Sequence, residues 1–171
     1  MSIRNLYAEF GVDNYYSKYS KEYINYHFNE LKFLLENNID KIINDKNTKI
    51  LDLCCGNGEV TKILLNLNIK NIIGCDPYMN KIYEKNFNRK CYDCSFKDII
   101  KGNLDGIYKI VICSFGLHLC EEKMLFNLLN MLKHVHGMER LVIITPNKKP
   151  HIKDKITHEF IYNKVRLRIY E

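Results

Sequence analysis

Four short apolar runs, residues 49–54, 71–75, 108–114 and 141–145, punctuate the chain, and polar-periodic stretches of helical spacing lie between them. Each run has strand length, and strands alternating with helices imply parallel neighbours joined by right-handed crossovers in a doubly wound α/β sheet. Ahead of the first run, Ser20 can cap a helix whose apolar residues Ile24, Phe28, Leu31 and Leu35 fall on one stripe. Residues 121–136 repeat Leu125, Leu128, Leu132 and Val135 before Gly137, as a sheet-covering helix would. Past Pro150 the pattern changes. Residues 159–163 and 164–170 both read as extended, with Val165, Leu167 and Ile169 alternating with Arg166, Arg168 and Tyr170, which predicts an antiparallel hairpin at the sheet edge.

Composition narrows the class. With 171 residues, 46% of them hydrophobic, the chain suits one domain, 1–171, and such a domain hides roughly 70% of the surface its unfolded chain exposes. No repeat appears, and the Asn/Lys/Ile-rich residues 37–49 read as a linker. The chain shows neither the order of a signal peptide nor an apolar stretch long enough to span a bilayer, so a soluble, cytoplasmic protein with no membrane partner is expected. Seven cysteines lie within apolar runs, two of them adjacent, so reduced thiols are expected rather than a disulfide framework. Cys91 and Cys94 have metal-ligand spacing, but no second pair completes a site, and no metal is assigned. The formal charge is +6, with much of the excess in Lys148, Lys149, Lys153, Lys155, Lys164, Arg166 and Arg168. This basic C-terminal quarter is a solvated face or a surface for an acidic partner such as RNA.

Candidate chemistry concentrates where the first run ends. Asp52-Leu53-Cys54-Cys55-Gly56-Asn57-Gly58 leads from a strand into a helical pattern beginning at Glu59, and ligands of open α/β sheets bind at that edge. Gly56 and Gly58 leave no side chain between the turn and a ligand. A dinucleotide fingerprint would put Cys54 and Glu59 at glycine positions, and an acidic Glu59 would repel a pyrophosphate. Asp52 instead suits a cationic ligand, such as the ammonium and sulfonium of S-adenosylmethionine.

This motif resembles the first motif of the class I S-adenosylmethionine-dependent methyltransferases, D-x-G-x-G-x-G, with Cys54 at the first glycine. The resemblance covers roughly residue 49 to the C-terminus and extends to Ile72-Ile73-Gly74-Cys75-Asp76, to Asp93 with Cys94-Ser95-Phe96, and to residues 110–119. It implies a mostly parallel seven-stranded sheet with an antiparallel C-terminal hairpin, a cofactor-binding core over 48–171 and a helical lid over 1–45. It further implies cofactor contacts from Asp52, Cys54, Gly56, Gly58, Asp76, Pro77, Ser95, Phe96, Ser114 and Phe115, with Asp76 accepting from the ribose diol. Tyr16, Tyr19 and Tyr23 are the lid's substrate-facing candidates. His118 is the titratable group expected to face the acceptor as base or orienting group. The D/N/S-P-P-aromatic signature of amino-methyltransferases is absent from Cys113-Ser114-Phe115-Gly116. A small-molecule acceptor is therefore favoured. RNA comes second, through a weaker likeness to cap guanine-N7 enzymes, and a methyltransferase-like subunit that supports a partner without transferring methyl is a further alternative.

Overall fold

The computed structural model describes residue 11 and residues 25–171; the lid candidates Tyr16, Tyr19 and Tyr23, with Ser20 and Ile24, lie outside them. In chain order the elements are α1 (Phe28–Ile42), β1 (Ile50–Leu53), α2 (Glu59–Asn66), β2 (Ile72–Cys75), α3 (Asn80–Phe87), β3 (Cys91–Tyr92) and α4 (Phe96–Ile100), then β4 (Ile110–Ser114), α5 (Glu122–Asn130), β5 (Arg140–Thr145), β6 (Ile156–Tyr162) and β7 (Val165–Tyr170). All four apolar runs became strands. They form one seven-stranded sheet in the order β3-β2-β1-β4-β5-β7-β6. β1 pairs parallel with β2 and β4, and β4 with β5, whereas β7 inserts antiparallel beside β5 and pairs with the edge strand β6. The hairpin turns at Asn163 and Lys164, whose φ values of 44° and 71° fit a tight two-residue connection.

Both faces of the sheet are covered, which is why β1 is buried at every position and reads as continuously apolar around Asp52. On one face, Leu31, Leu34 and Leu35 of α1 and Val60, Ile63 and Leu64 of α2 pack on Ile50, Ile112, Val142 and Leu167. Each of these buried aliphatic side chains contributes about 1.5–3 kcal/mol of transfer free energy. On the other face, Ile99 of α4 and Leu125 and Leu128 of α5 pack on Leu51, Val111 and Ile143.

The covering helix over residues 121–136 differs from expectation at its end. After α5 the chain widens into a π-turn at Met131–Val135, where the His136 amide donates to the Met131 carbonyl five residues back (3.1 Å). The extra residue turns the helix face, so Val135 points outward, 51% exposed, while His136 is buried with its Nδ1 2.8 Å from the Gly106 carbonyl oxygen. No helix among the described residues is long and apolar enough to cross a membrane.

Candidate functional site

The carboxyl ends of β1, β2 and β4 surround a cavity of about 330 Å³. Its position follows from topology: β2 and β4 flank β1 on opposite sides, so the crossovers diverge there and leave a crevice. Of the residues expected at a cofactor, Cys54, Gly56, Asp76, Pro77, Ser95, Phe96, Ser114 and Phe115 line it.

Asp76, 7% exposed, ties two turns together. Its Oδ2 accepts from the Gly56 amide at 3.1 Å, and its Oδ1 accepts from the amides of Tyr78 and Met79, both at 2.9 Å. Burial pushes its carboxyl up while those three donors pull it down. Gly56 has φ 53°, and a Cβ there would meet nothing nearer than Glu59 Oε2 at 3.7 Å, so the turn's backbone is open to the cavity.

Asp52 and Gly58 serve the framework instead. Asp52 is fully buried and is not part of the cavity wall. Its Oδ2 accepts from the Thr61 hydroxyl (2.7 Å) and the Thr61 amide (3.2 Å), and Thr61 Oγ1 lies 2.8 Å from the Tyr83 hydroxyl, so the carboxyl links β1 to α2 and α3. Asp52 Oδ1 has no hydrogen-bond partner among the described residues. Burial pushes this carboxyl from the ordinary 3.8 up to about 7. Gly58 caps α2 at φ 86°, and a Cβ there would sit 2.1 Å from Phe87 Cε2, so its lack of a side chain accommodates Phe87 rather than a ligand. The acid expected at the ligand, Asp52, is thus in the framework, and Glu59 is in the cavity wall. That side chain lines the cavity beside Gly56, and burial raises its carboxyl. Sequence reasoning weighed Glu59 only as an obstacle to pyrophosphate; its place in the first turn of α2, straight after the two glycines, was the available signal.

Cys54 occupies the left-handed region at φ 57°, costly for a residue with a Cβ. Across from it, a Cβ on Gly116 would lie 2.4 Å from Cys54 Cβ and 2.7 Å from Cys54 Sγ. Gly116 therefore leaves the space that Cys54 fills. All seven cysteines are free thiols, with Cys55 Sγ and Cys91 Sγ 3.5 Å apart in the core.

The remaining expected residues divide. Ser95 caps α4 in a reciprocal box with Asp98, which holds Phe96 at the cavity wall. Phe115 also lines the cavity at φ 55°, its amide donating to the Ile144 carbonyl (2.8 Å) and its ring stacked on His27 with centroids 5.7 Å apart. His118 sits in the short turn Leu117–Leu119, between wall residues Gly116 and Leu119, and is not itself in the wall. Tyr78, Met79, Leu119 and Met124 complete an apolar side that no sequence motif announced.

No protein-family model matches the chain. An uncharacterized protein of Schizosaccharomyces pombe is 28% identical, the alignment covering 99% of this chain and 92% of that protein. Among solved structures, magnesium protoporphyrin IX methyltransferase from Synechocystis PCC 6803 with bound SAM superposes with a TM-score of 0.63 at 14% identity, over 98% of this chain and 93% of that one. The ribosomal protein L11 methylase of Lactobacillus delbrueckii subsp. bulgaricus gives 0.58 at 11% identity, over 87% and 80% of the two chains. With its 3-2-1-4-5-7-6 strand order and these likenesses, the chain has the fold of the class I S-adenosylmethionine-dependent methyltransferases.

Proposed function

We propose that the chain is an S-adenosylmethionine-dependent methyltransferase. The observation that carries this reading is the pair of acids, Asp76 and Glu59, on either side of an open Gly56 in the crevice beyond β1. Asp76 keeps one lone-pair site, on Oδ2, beyond its three backbone donors, enough to accept from one hydroxyl of a ribose diol. Glu59 supplies negative charge in a partly desolvated wall, where it favours an ammonium or sulfonium over a phosphate. The apolar side made by Phe96, Met79, Leu119 and Met124 suits an adenine ring. Cys54 does not count against binding, because its side chain occupies the space left by Gly116.

When bound, the cofactor supplies a methyl carbon that the acceptor's lone pair attacks in line while the carbon–sulfur pair stays on sulfur. The chain's part is to hold the acceptor close and aligned and to exclude water, and this requires no dedicated base. Ser114 and Phe115, at the end of β4, are the wall residues offered to the acceptor. Calorimetry tests the reading: S-adenosylmethionine should release or absorb heat on binding, and Asp76→Ala should weaken it at least about tenfold, because a charge-assisted hydrogen bond contributes about 1.5–3 kcal/mol. Asp76→Asn, which keeps one acceptor oxygen for the turn, should weaken it less. No heat with the wild-type chain, or equal affinity in all three proteins, refutes it.

A further inference from the structure

The amino-acid tail of S-adenosylmethionine is zwitterionic, and the wall that would meet it is mostly acidic: Glu59, Asp76 and Glu121 stand against Lys97 as the one cation among the lining residues. Glu59 answers the ammonium. The carboxylate needs a donor, and the two faces of the sheet separate the candidates. Lys97 belongs to α4 and follows Phe96, which packs with Met124 on the face covered by α4 and α5. Phe28 and Phe115 pack on the opposite face, the one covered by α1 and α2. Glu59 opens α2, so a tail held by Glu59 lies on this second face.

Asn25 stands on that face too. The far end of α1 lies at the amino edge of the sheet, where Arg140 Nη1 donates to the Ile42 carbonyl (2.7 Å), so α1 begins at the carboxyl edge, as α2 does. The Lys62 ammonium, one turn into α2, is 6.0 Å from the centroid of the Phe28 ring that opens α1, which sets the two helix starts side by side. Just before α1, the His27 imidazole stacks on Phe115 and the Asn25 carbonyl accepts from the Phe28 amide (3.2 Å), fixing this turn at the end of β4. Asn25 is half-buried and lines the cavity. Its side chain has one orientation: Oδ1 accepts from the His27 backbone N–H at 2.9 Å, which leaves the NH₂ as the group still to be used.

We propose that Asn25 binds the carboxylate of the cofactor's amino-acid tail, its NH₂ donating to a carboxylate oxygen while Glu59 takes the ammonium. The proposal rests on the methyltransferase reading and adds the residue that recognises the end of the cofactor remote from adenine. A carboxylate entering among Glu59, Asp76 and Glu121 is repelled unless a donor meets it, and a hydrogen bond to an ionised acceptor is roughly twice as strong as one between neutral groups. Asn25 supplies that donor on the same face as Glu59, and Ser114 and Phe115 are left to the acceptor. The site thereby selects a cofactor that carries its carboxylate.

Calorimetry of the full chain with two probes tests this: S-adenosylhomocysteine, and its decarboxylated analogue, which keeps the nucleoside, the sulfur and the amine. The wild-type chain should bind S-adenosylhomocysteine at least about fivefold more tightly than the analogue, as one half-buried hydrogen bond to a charged group implies. Asn25→Ala should weaken S-adenosylhomocysteine by at least about fivefold and leave the analogue within about twofold of its wild-type affinity, so that the two probes become nearly equal. Asn25→Asp keeps an acceptor for the His27 amide and so holds the turn, but it sets a carboxylate against the ligand's own. It should weaken S-adenosylhomocysteine at least as much as alanine does and leave the analogue bound as tightly or more so. Analogue binding by each variant shows that its site is folded. Equal weakening of both probes by Asn25→Ala, no weakening of S-adenosylhomocysteine by either variant, or a wild-type chain that does not tell the probes apart overturns the assignment and leaves the cofactor reading standing. A wild-type chain that binds neither probe ends both.

Discussion

Replacing Asp52 by asparagine should remove a pH dependence that the fold otherwise carries. The folded chain holds the Asp52 proton more tightly than the unfolded chain, at about 7 against an ordinary 3.8. Between those values the folded state binds more protons, so this group's contribution falls as pH rises from about 4 to about 7 and is flat above that. Between pH 5 and pH 8 the loss amounts to about 2–3 kcal/mol, at 1.36 kcal/mol per unit. Asp52→Asn does not titrate; its amide oxygen can still accept from Thr61, while its NH₂ takes the place of the unpartnered Oδ1 at a pH-independent cost of about 1–3 kcal/mol. Urea unfolding of both proteins at pH 5, 6, 7 and 8 gives the difference directly, and the subtraction removes the other raised carboxyls, Glu59 and Asp76, shared by both. The variant should be the less stable protein at pH 5 and should gain about 2–3 kcal/mol relative to wild type by pH 8. A stability difference that stays constant across the series refutes the buried, framework role of Asp52.

Gly58→Ala should cost at least about 2 kcal/mol, from an alanine forced to φ 86° and from its overlap with the Phe87 ring, and thermal unfolding should show the midpoint lowered by about 5 °C or more. Gly116→Ala should destabilise through its clash with Cys54, and Cys54→Gly in the same chain should recover most of the loss; a double-mutant cycle by urea unfolding should give a coupling of about 1 kcal/mol or more, and additive effects contradict the complementarity. Leu35→Ala should cost about 2–5 kcal/mol in urea unfolding, because that side chain is wholly buried between α1 and the sheet.

The strands were legible because burial on both faces writes itself as uninterrupted apolar runs, and the hairpin because Val165, Leu167 and Ile169 alternate with larger polar residues. The end of the covering helix was not legible: one extra residue in the Met131–Val135 turn exchanged Val135 for His136 in the core, and no composition signal marks a π-turn. At the site, the glycines and acids could be found, but not which way they face. Asp52 and Glu59 flank the same turn, and only the packing of Thr61 and Tyr83 against β1 decides that Asp52 turns into the framework and leaves Glu59 to the cavity. The fit of Cys54 into the space at Gly116 joins residues remote in sequence and was equally hidden. Cavity residues Leu119 and Met124 look like any other helix-flanking apolar residues until the crossover after β4 brings them over the crevice.

In the proposed function, Asp76 and Glu59 hold a cationic nucleoside at the open Gly56 turn. A crystal structure with S-adenosylhomocysteine tests it most directly. The ribose diol is expected within hydrogen-bond distance of the Asp76 carboxylate, and the amino group on the Glu59 side of Gly56. A nucleoside bound away from Asp76, or one whose amino group turns from Glu59 toward Lys97, contradicts it.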